Sequence, residues 1–171
     1  MRYVVSSFTI MLLLIFLVFA CGLGKSEEEL HAEVLQLEKE GDVAKTLESL
    51  DELLGKYPKG KYAPETLLKI AFIHYNEKQD YAKAIELHLR LIEEFPDSDF
   101  TPQARFMIGF MYANELKDYD MARHYYNDFI KHHPDHELND SVRWELEHLG
   151  QDVNEQMSDL LQDPQANGGS N

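Results

Sequence analysis

The chain has 171 residues, 31 acidic against 16 basic, and a formal net charge of −15 at pH 7. A body this acidic is repelled by nucleic acid and by anionic headgroups, which leaves neutral, basic or apolar partners and no nucleic acid. Its single cysteine excludes an internal disulfide, and a hydrophobic share of 44% is ordinary for a chain that buries a core.

Arg2 gives a short basic start, and Phe8 to Ala20 is apolar but for Thr9. That length suits the h-region of a secretory leader, expected over 1–20, and is short for a membrane span. Val18-Phe19-Ala20-Cys21 resembles the bacterial lipobox. The resemblance implies cleavage before Cys21, lipidation of Cys21, and a linker over 21–25. Several acyl chains on Cys21 would hold the protein on a bilayer far more firmly than one. By the sorting rule of enteric bacteria, Gly22 after that cysteine implies the outer membrane, facing the periplasm. The other reading is an uncleaved anchor with an incidental cysteine.

Ser26-Glu27-Glu28-Glu29 forms a capping box and opens a helix to about Glu40, with Leu30, Val34 and Leu37 as its apolar stripe. Gly41-Asp42 makes the turn, and Val43, Leu47, Leu50, Leu53 and Leu54 line the next helix. From there the chain repeats itself. Pro58, Pro96 and Pro134 stand 38 residues apart, and at the same offset Pro64 falls on Pro102, Asp80 on Asp118, Tyr81 on Tyr119 and Ala84 on Ala122. A fixed period of this size marks units that bury their apolar faces against their neighbours.

Within a unit the period is helical: Leu67, Ile70, Ala71 and His74 recur at helical spacing, as do Ala84, Leu87, His88 and Leu91. Asp80 and Asp118 are placed to cap the second helix of each unit, and Thr101 to cap the first helix of the third. Pro64 and Pro102 sit where a helix start tolerates proline. Units are expected over 26–58, 62–96 and 100–134, the first degenerate because Thr46 replaces the alanine. A capping helix over 139–149, carrying Val142, Trp144, Leu146 and Leu149, should close the array. An amphipathic helix over 150–162 with Val153, Met157, Leu160 and Leu161 follows, then a disordered tail over 163–171.

The small residue of the first helix (Ala71, Gly109), the alanine of the second (Ala84, Ala122) and the closing proline (Pro96, Pro134) resemble the tetratricopeptide repeat family. A unit of 38 residues exceeds the family's usual length of about 34. That variant is similar to the repeats of envelope lipoproteins of the BamD and Tol-associated coordinator type, and the likeness covers residues 26–149. It implies an all-α fold, an α-solenoid of about three tetratricopeptide-like hairpins plus a C-terminal capping helix. It also implies that the first helices line a partner-binding groove. The lining would be Glu65, Leu68, Phe72, Tyr75 and Asn76, then Gln103, Phe106, Phe110, Ala113 and Asn114. Phe72, Phe106 and Phe110 serve equally as core rings between repeats. Tyr112, Tyr119, Tyr125 and Tyr126 suit an interface or the core. Apolar residues at 68, 72, 106 and 110 argue against a clamp for a terminal carboxylate and for a segment with apolar anchors.

Catalytic motifs are missing from the sequence. His31-Ala32-Glu33 lacks the paired cysteines of a zinc deaminase, and Asp97-Ser98-Asp99 lacks the glycine and distal glutamate of a calcium loop. The one candidate for metal is the stretch from His132 to His136. Pro134 interrupts the helix that would align His132 with His136, and His133 falls at the ring position of Tyr57 and Phe95. The expectation is a non-catalytic adaptor without a cofactor, lipid-anchored in the envelope and bound to another envelope protein. One alternative is a BamD-like accessory of outer-membrane protein assembly. The other is a lipoprotein that holds metal or a ligand at His132 and His136.

Overall fold

The computed structural model describes residues 24–151. The expected leader, Cys21, the tail over 163–171 and most of the helix expected over 150–162 lie outside the described residues. The described residues form seven α-helices and no strand. They are α1 Glu27–Glu40, α2 Val43–Lys56, α3 Ala63–Asn76, α4 Tyr81–Glu94, α5 Thr101–Asn114, α6 Tyr119–His132 and α7 Asn139–Glu147. The chain divides into two compact units, one up to Thr66 and one from Leu67 onward, with the division falling inside α3.

In the first unit Ser26 and Glu29 close a reciprocal capping box at the start of α1. Gly41 ends that helix with φ 73°, a left-handed turn that glycine enters without a Cβ penalty. Asp42 then caps α2 by accepting from the Lys45 amide. Leu30 and Val34 of α1 and Leu50, Leu53 and Leu54 of α2 are buried, as their spacing requires. Thr46, which stands where later units carry alanine, is buried and donates its hydroxyl to the Asp42 carbonyl at 2.8 Å. Glu27 reaches the far turn, accepting from the Tyr62 amide at 2.8 Å, and His31 stacks on the Tyr62 ring with centroids 3.8 Å apart.

The second unit shows the 38-residue period in its backbone angles. Asp80 and Asp118 cap α4 and α6 with φ/ψ of −92°/75° and −91°/83°, each accepting from the amide three residues on. Phe95 and His133 close the same helices at −138°/58° and −131°/57°. The residue before each capping aspartate is left-handed, Gln79 at φ 52° and Lys117 at φ 55°. Apolar clusters among the described residues tie its helices together. Ala84 and Ile85 of α4 pack with Ile108 and Met111 of α5, while Ala113, Ala122, Tyr126, Phe129 and Val142 join α5, α6 and α7. Tyr112 lies against both. Burying a side chain such as Phe129 or Ile108 completely contributes about 1.5–3 kcal/mol.

Two expectations are corrected. Thr101 does not cap α5, because it is the first helical residue. Phe100 holds the cap position, and the buried Thr101 hydroxyl donates to the Phe95 carbonyl at 2.7 Å. Asn139 repeats this one unit later, with Leu138 at the cap and its Nδ2 donating to the carbonyls of His133 and Pro134. Trp144, expected on the apolar stripe of α7, is instead 52% exposed. The stripe that faces α6 is Val142, Leu146 and Leu149, spaced by four and three, and residue 144 falls off it.

Candidate partner-binding surface

Leu68, Phe72, Tyr75 and Asn76 follow one another along α3, and Gln103, Phe106, Phe110 and Asn114 along α5. Three of these side chains meet. Tyr75 meets Phe110 edge-on with centroids 6.5 Å apart, and Phe110 lies 6.1 Å from Phe106. Phe106 in turn lies 6.1 Å from the buried ring of Tyr126. The aromatic run is therefore rooted in the core at one end and half-buried at Phe106 and Phe110. Phe72 stands out from it, 61% exposed. A phenylalanine that open departs from the core position considered for it, and α3 has no polar reason to present it.

Asn76 and Asn114 are both exposed, and each turns its amide back on its own helix. Asn76 Nδ2 donates to the Phe72 carbonyl and Asn114 Nδ2 to the Phe110 carbonyl, both at 3.1 Å. Their side-chain oxygens remain as acceptors toward solvent. Gln103 is exposed, Leu68 half-buried and Ala113 buried. Glu65 belongs to the first unit, where its carboxylate lies 3.2 Å from the His31 ring nitrogen.

Sequence reasoning passed over Glu115. The Tyr75 hydroxyl donates to its Oε1 at 2.9 Å. Burial, then the Glu115 carboxylate, pushes the Tyr75 phenol up to about 12, so the proton that makes this bond stays in place. Nothing local announces the pair, since 40 residues separate its members. Of the remaining tyrosines, Tyr126 is fully buried, Tyr112 and Tyr125 stack on each other at 5.6 Å, and Tyr119 is exposed.

The histidine stretch is engaged in structure. His132 Nδ1 lies 2.9 Å from the Asp128 carbonyl oxygen and 3.0 Å from its carboxylate. His136 Nδ1 accepts from the Leu138 amide at 3.1 Å. His133 packs on Phe129 with centroids 5.4 Å apart, the ring position expected for it. Burial, and then Arg105 nearby, push its imidazole below the usual range. Arg105 is itself ion-paired to Asp128 across α5 and α6. Among the described residues no group of three His, Cys, Asp or Glu is arranged to hold a metal ion. Nor is any described helix long and apolar enough to cross a membrane.

Paired helices with an alanine on the second, an aspartate cap and a closing proline define tetratricopeptide repeats, and that repeat family matches residues 103–136. Residues 24–118, more than half of the chain, match the outer membrane lipoprotein family YfiO, and the chain belongs to that BamD-like family. Membership implies a place in the cell envelope. A comparison with curated proteins gave no match.

Proposed function

We propose that the protein is a non-catalytic adaptor, lipid-anchored through Cys21 to the outer membrane on its periplasmic side, that binds another envelope protein. The observation that carries this reading is the Phe72 ring, 61% exposed on the helix that also carries the half-buried Tyr75, whose ring meets Phe110. An exposed apolar anchor with the acceptor oxygen of Asn76 one turn further along the same helix suits a polypeptide segment with an apolar side chain and backbone amides to offer. The acidic body favours a neutral or basic partner over an anionic one.

The test is affinity capture from native envelopes with Phe72→Ala and with Asn76→Ala/Asn114→Arg. A specific envelope protein should be recovered with the parent chain and lost with both variants. Equal recovery with all three would remove the surface from consideration. Metabolic labelling with a radioactive fatty acid tests the anchor, which Cys21→Ser should abolish.

Membership in the outer membrane lipoprotein family favours a narrower reading, an accessory of outer-membrane protein assembly. On that reading the captured partner is a component of the insertion machinery, and depletion of the protein lowers outer-membrane protein levels.

A further inference from the structure

Residues 24–27 run along the turn that joins α2 to α3, and several contacts pin them there. The Tyr57 hydroxyl donates to the Lys25 carbonyl at 3.0 Å, and the Tyr62 amide donates to the Glu27 carboxylate at 2.8 Å. A β-carbon on Gly24 would stand 3.2 Å from Lys56 Nζ, and one on Gly60 would overlap the Glu27 carboxylate. Cys21 stands three residues before Gly24. Three residues of chain span at most about 11 Å, so a lipid on Cys21 tethers this turn closely to its bilayer.

The same turn carries a charge that the later turns reverse. Lys59-Gly60-Lys61 follows Pro58, whereas Asp97-Ser98-Asp99 follows Pro96 and Asp135-His136-Glu137 follows Pro134. From Gly55 to Pro64 there are lysines at 56, 59 and 61 and no carboxylate, in a chain with 31 acidic and 16 basic residues. All three lysines are exposed, and Lys61 Nζ lies 4.8 Å from the centroid of the Tyr62 ring. Three nearby carboxylates are already engaged: Glu27 holds the Tyr62 amide, Glu52 pairs with Lys56 and Glu33 with Lys25. The last two are solvent-exposed ion pairs, which are weak enough to exchange for another anion.

We infer that this turn rests on the anionic phospholipid headgroups of the bilayer that holds Cys21, with Lys59 and Lys61 meeting the phosphates. The inference rests on the anchoring proposed above. The acidity of the whole chain does not oppose it. Charges are screened over about 8 Å at physiological salt, so the headgroups respond to the tethered turn and little to carboxylates further off. The acidic turns after Pro96 and Pro134 are repelled by the same surface, which confines the contact to the anchored end.

The test uses full-length lipidated protein with one fluorophore on Pro58→Cys, an exposed position, and vesicles containing a lipid spin-labelled at its headgroup. Flotation with phosphatidylcholine vesicles reads the anchor alone. Quenching of the fluorophore should be stronger in phosphatidylglycerol vesicles than in phosphatidylcholine, and the excess should vanish in about 0.5 M salt. Lys59→Asp/Lys61→Asp, which gives this turn the charges of the one after Pro96, should lose the excess and still float, with an unchanged circular dichroism spectrum. A fluorophore on Pro96→Cys should show no excess. A parent protein that floats but is quenched equally in both vesicles overturns the inference and leaves the anchor standing. A chain that does not float with phosphatidylcholine overturns both. An excess that survives the double substitution assigns the contact to other residues and overturns the inference as well.

Discussion

A β-carbon placed on Gly109 would stand 2.6 Å from Cδ1 of Tyr126. The glycine of α5 therefore lets the buried ring of α6 approach the helix backbone more closely than any other residue would allow. By the repeat offset the same pair in the preceding hairpin is Ala71 and His88, where a smaller ring accompanies a larger small residue. The two positions vary together because their summed volume is fixed by the spacing of two packed helices.

Gly109→Ala should accordingly destabilise the protein. Alanine gains about 1 kcal/mol of helix propensity over glycine, but overpacking a filled core costs about 1–3 kcal/mol. The ring is held among Phe106, Phe129 and Val142 and has little room to give. Adding Tyr126→His, which copies the preceding hairpin, should recover much of the loss. Urea denaturation of the four proteins of this cycle measures the coupling, and additive effects would refute the volume argument.

The left-handed residues before each cap give a second expectation. Gly41 adopts that conformation freely, whereas Gln79 and Lys117 carry the steric cost of a Cβ at φ 52° and 55°. Gln79→Gly and Lys117→Gly should each raise stability by up to about 1 kcal/mol, reduced by the extra freedom glycine has in the unfolded chain. Gly41→Gln should lower it, although nothing lies within 4 Å of the added carbon. Denaturant midpoints decide, and a fall in stability for both glycine variants would show that the lost side-chain packing outweighs the strain.

How much of this is legible in the sequence depends on whether a feature repeats. The 38-residue offset exposes the hairpins, the aspartate caps and the burial of His88 within the stripe Ala84, Leu87, His88 and Leu91. It also places His133 with Tyr57 and Phe95. The offset does not reveal that Thr101 and Asn139 begin their helices, because a hydroxyl or amide in that position serves a cap or a back-reaching hydrogen bond equally well. Nor does it separate Phe72 from Phe110. The two are equivalent in sequence, but Tyr75 lies against Phe110 while Phe72 stands open, a difference set by which neighbour each one has. The bond from Tyr75 to Glu115 has no local signal at all.

Asn139 offers a third expectation. Its side chain is buried, and Nδ2 donates to two carbonyl oxygens at once, those of His133 and Pro134. Asn139→Ala removes both hydrogen bonds and should cost about 1–3 kcal/mol in all. Asn139→Asp keeps the shape but points a carboxylate oxygen at those carbonyls, and it should be the more damaging at neutral pH. Thermal melts of the two variants rank them. If aspartate proves the milder, the amide does not hold this turn.

The fourth concerns acid. His88 is 2% exposed, its Nδ1 has no hydrogen-bond partner, and burial depresses its pKa from 6.5 to about 4. Above pH 6.5 the ring is neutral in both folded and unfolded chains, and its contribution is fully present. As pH falls from 6.5 toward 4 the unfolded chain takes up a proton that the folded core refuses, so stability declines. Below about 4 both states are protonated and the decline from this group stops. Each pH unit between those two values weakens the fold by about 1.4 kcal/mol, so the full loss is about 3 kcal/mol. His88→Leu places there the residue that the first hairpin carries at the same position, Leu50, which is itself buried. The variant should be at least as stable as the parent at pH 7, and the gap should widen by about 3 kcal/mol between pH 6.5 and 4. Carboxylates such as Asp42, held below their usual range by Lys45, also titrate in acid but do so in both proteins and cancel in the difference. Stability curves that run parallel through this interval would mean that the imidazole finds water or a partner when it charges.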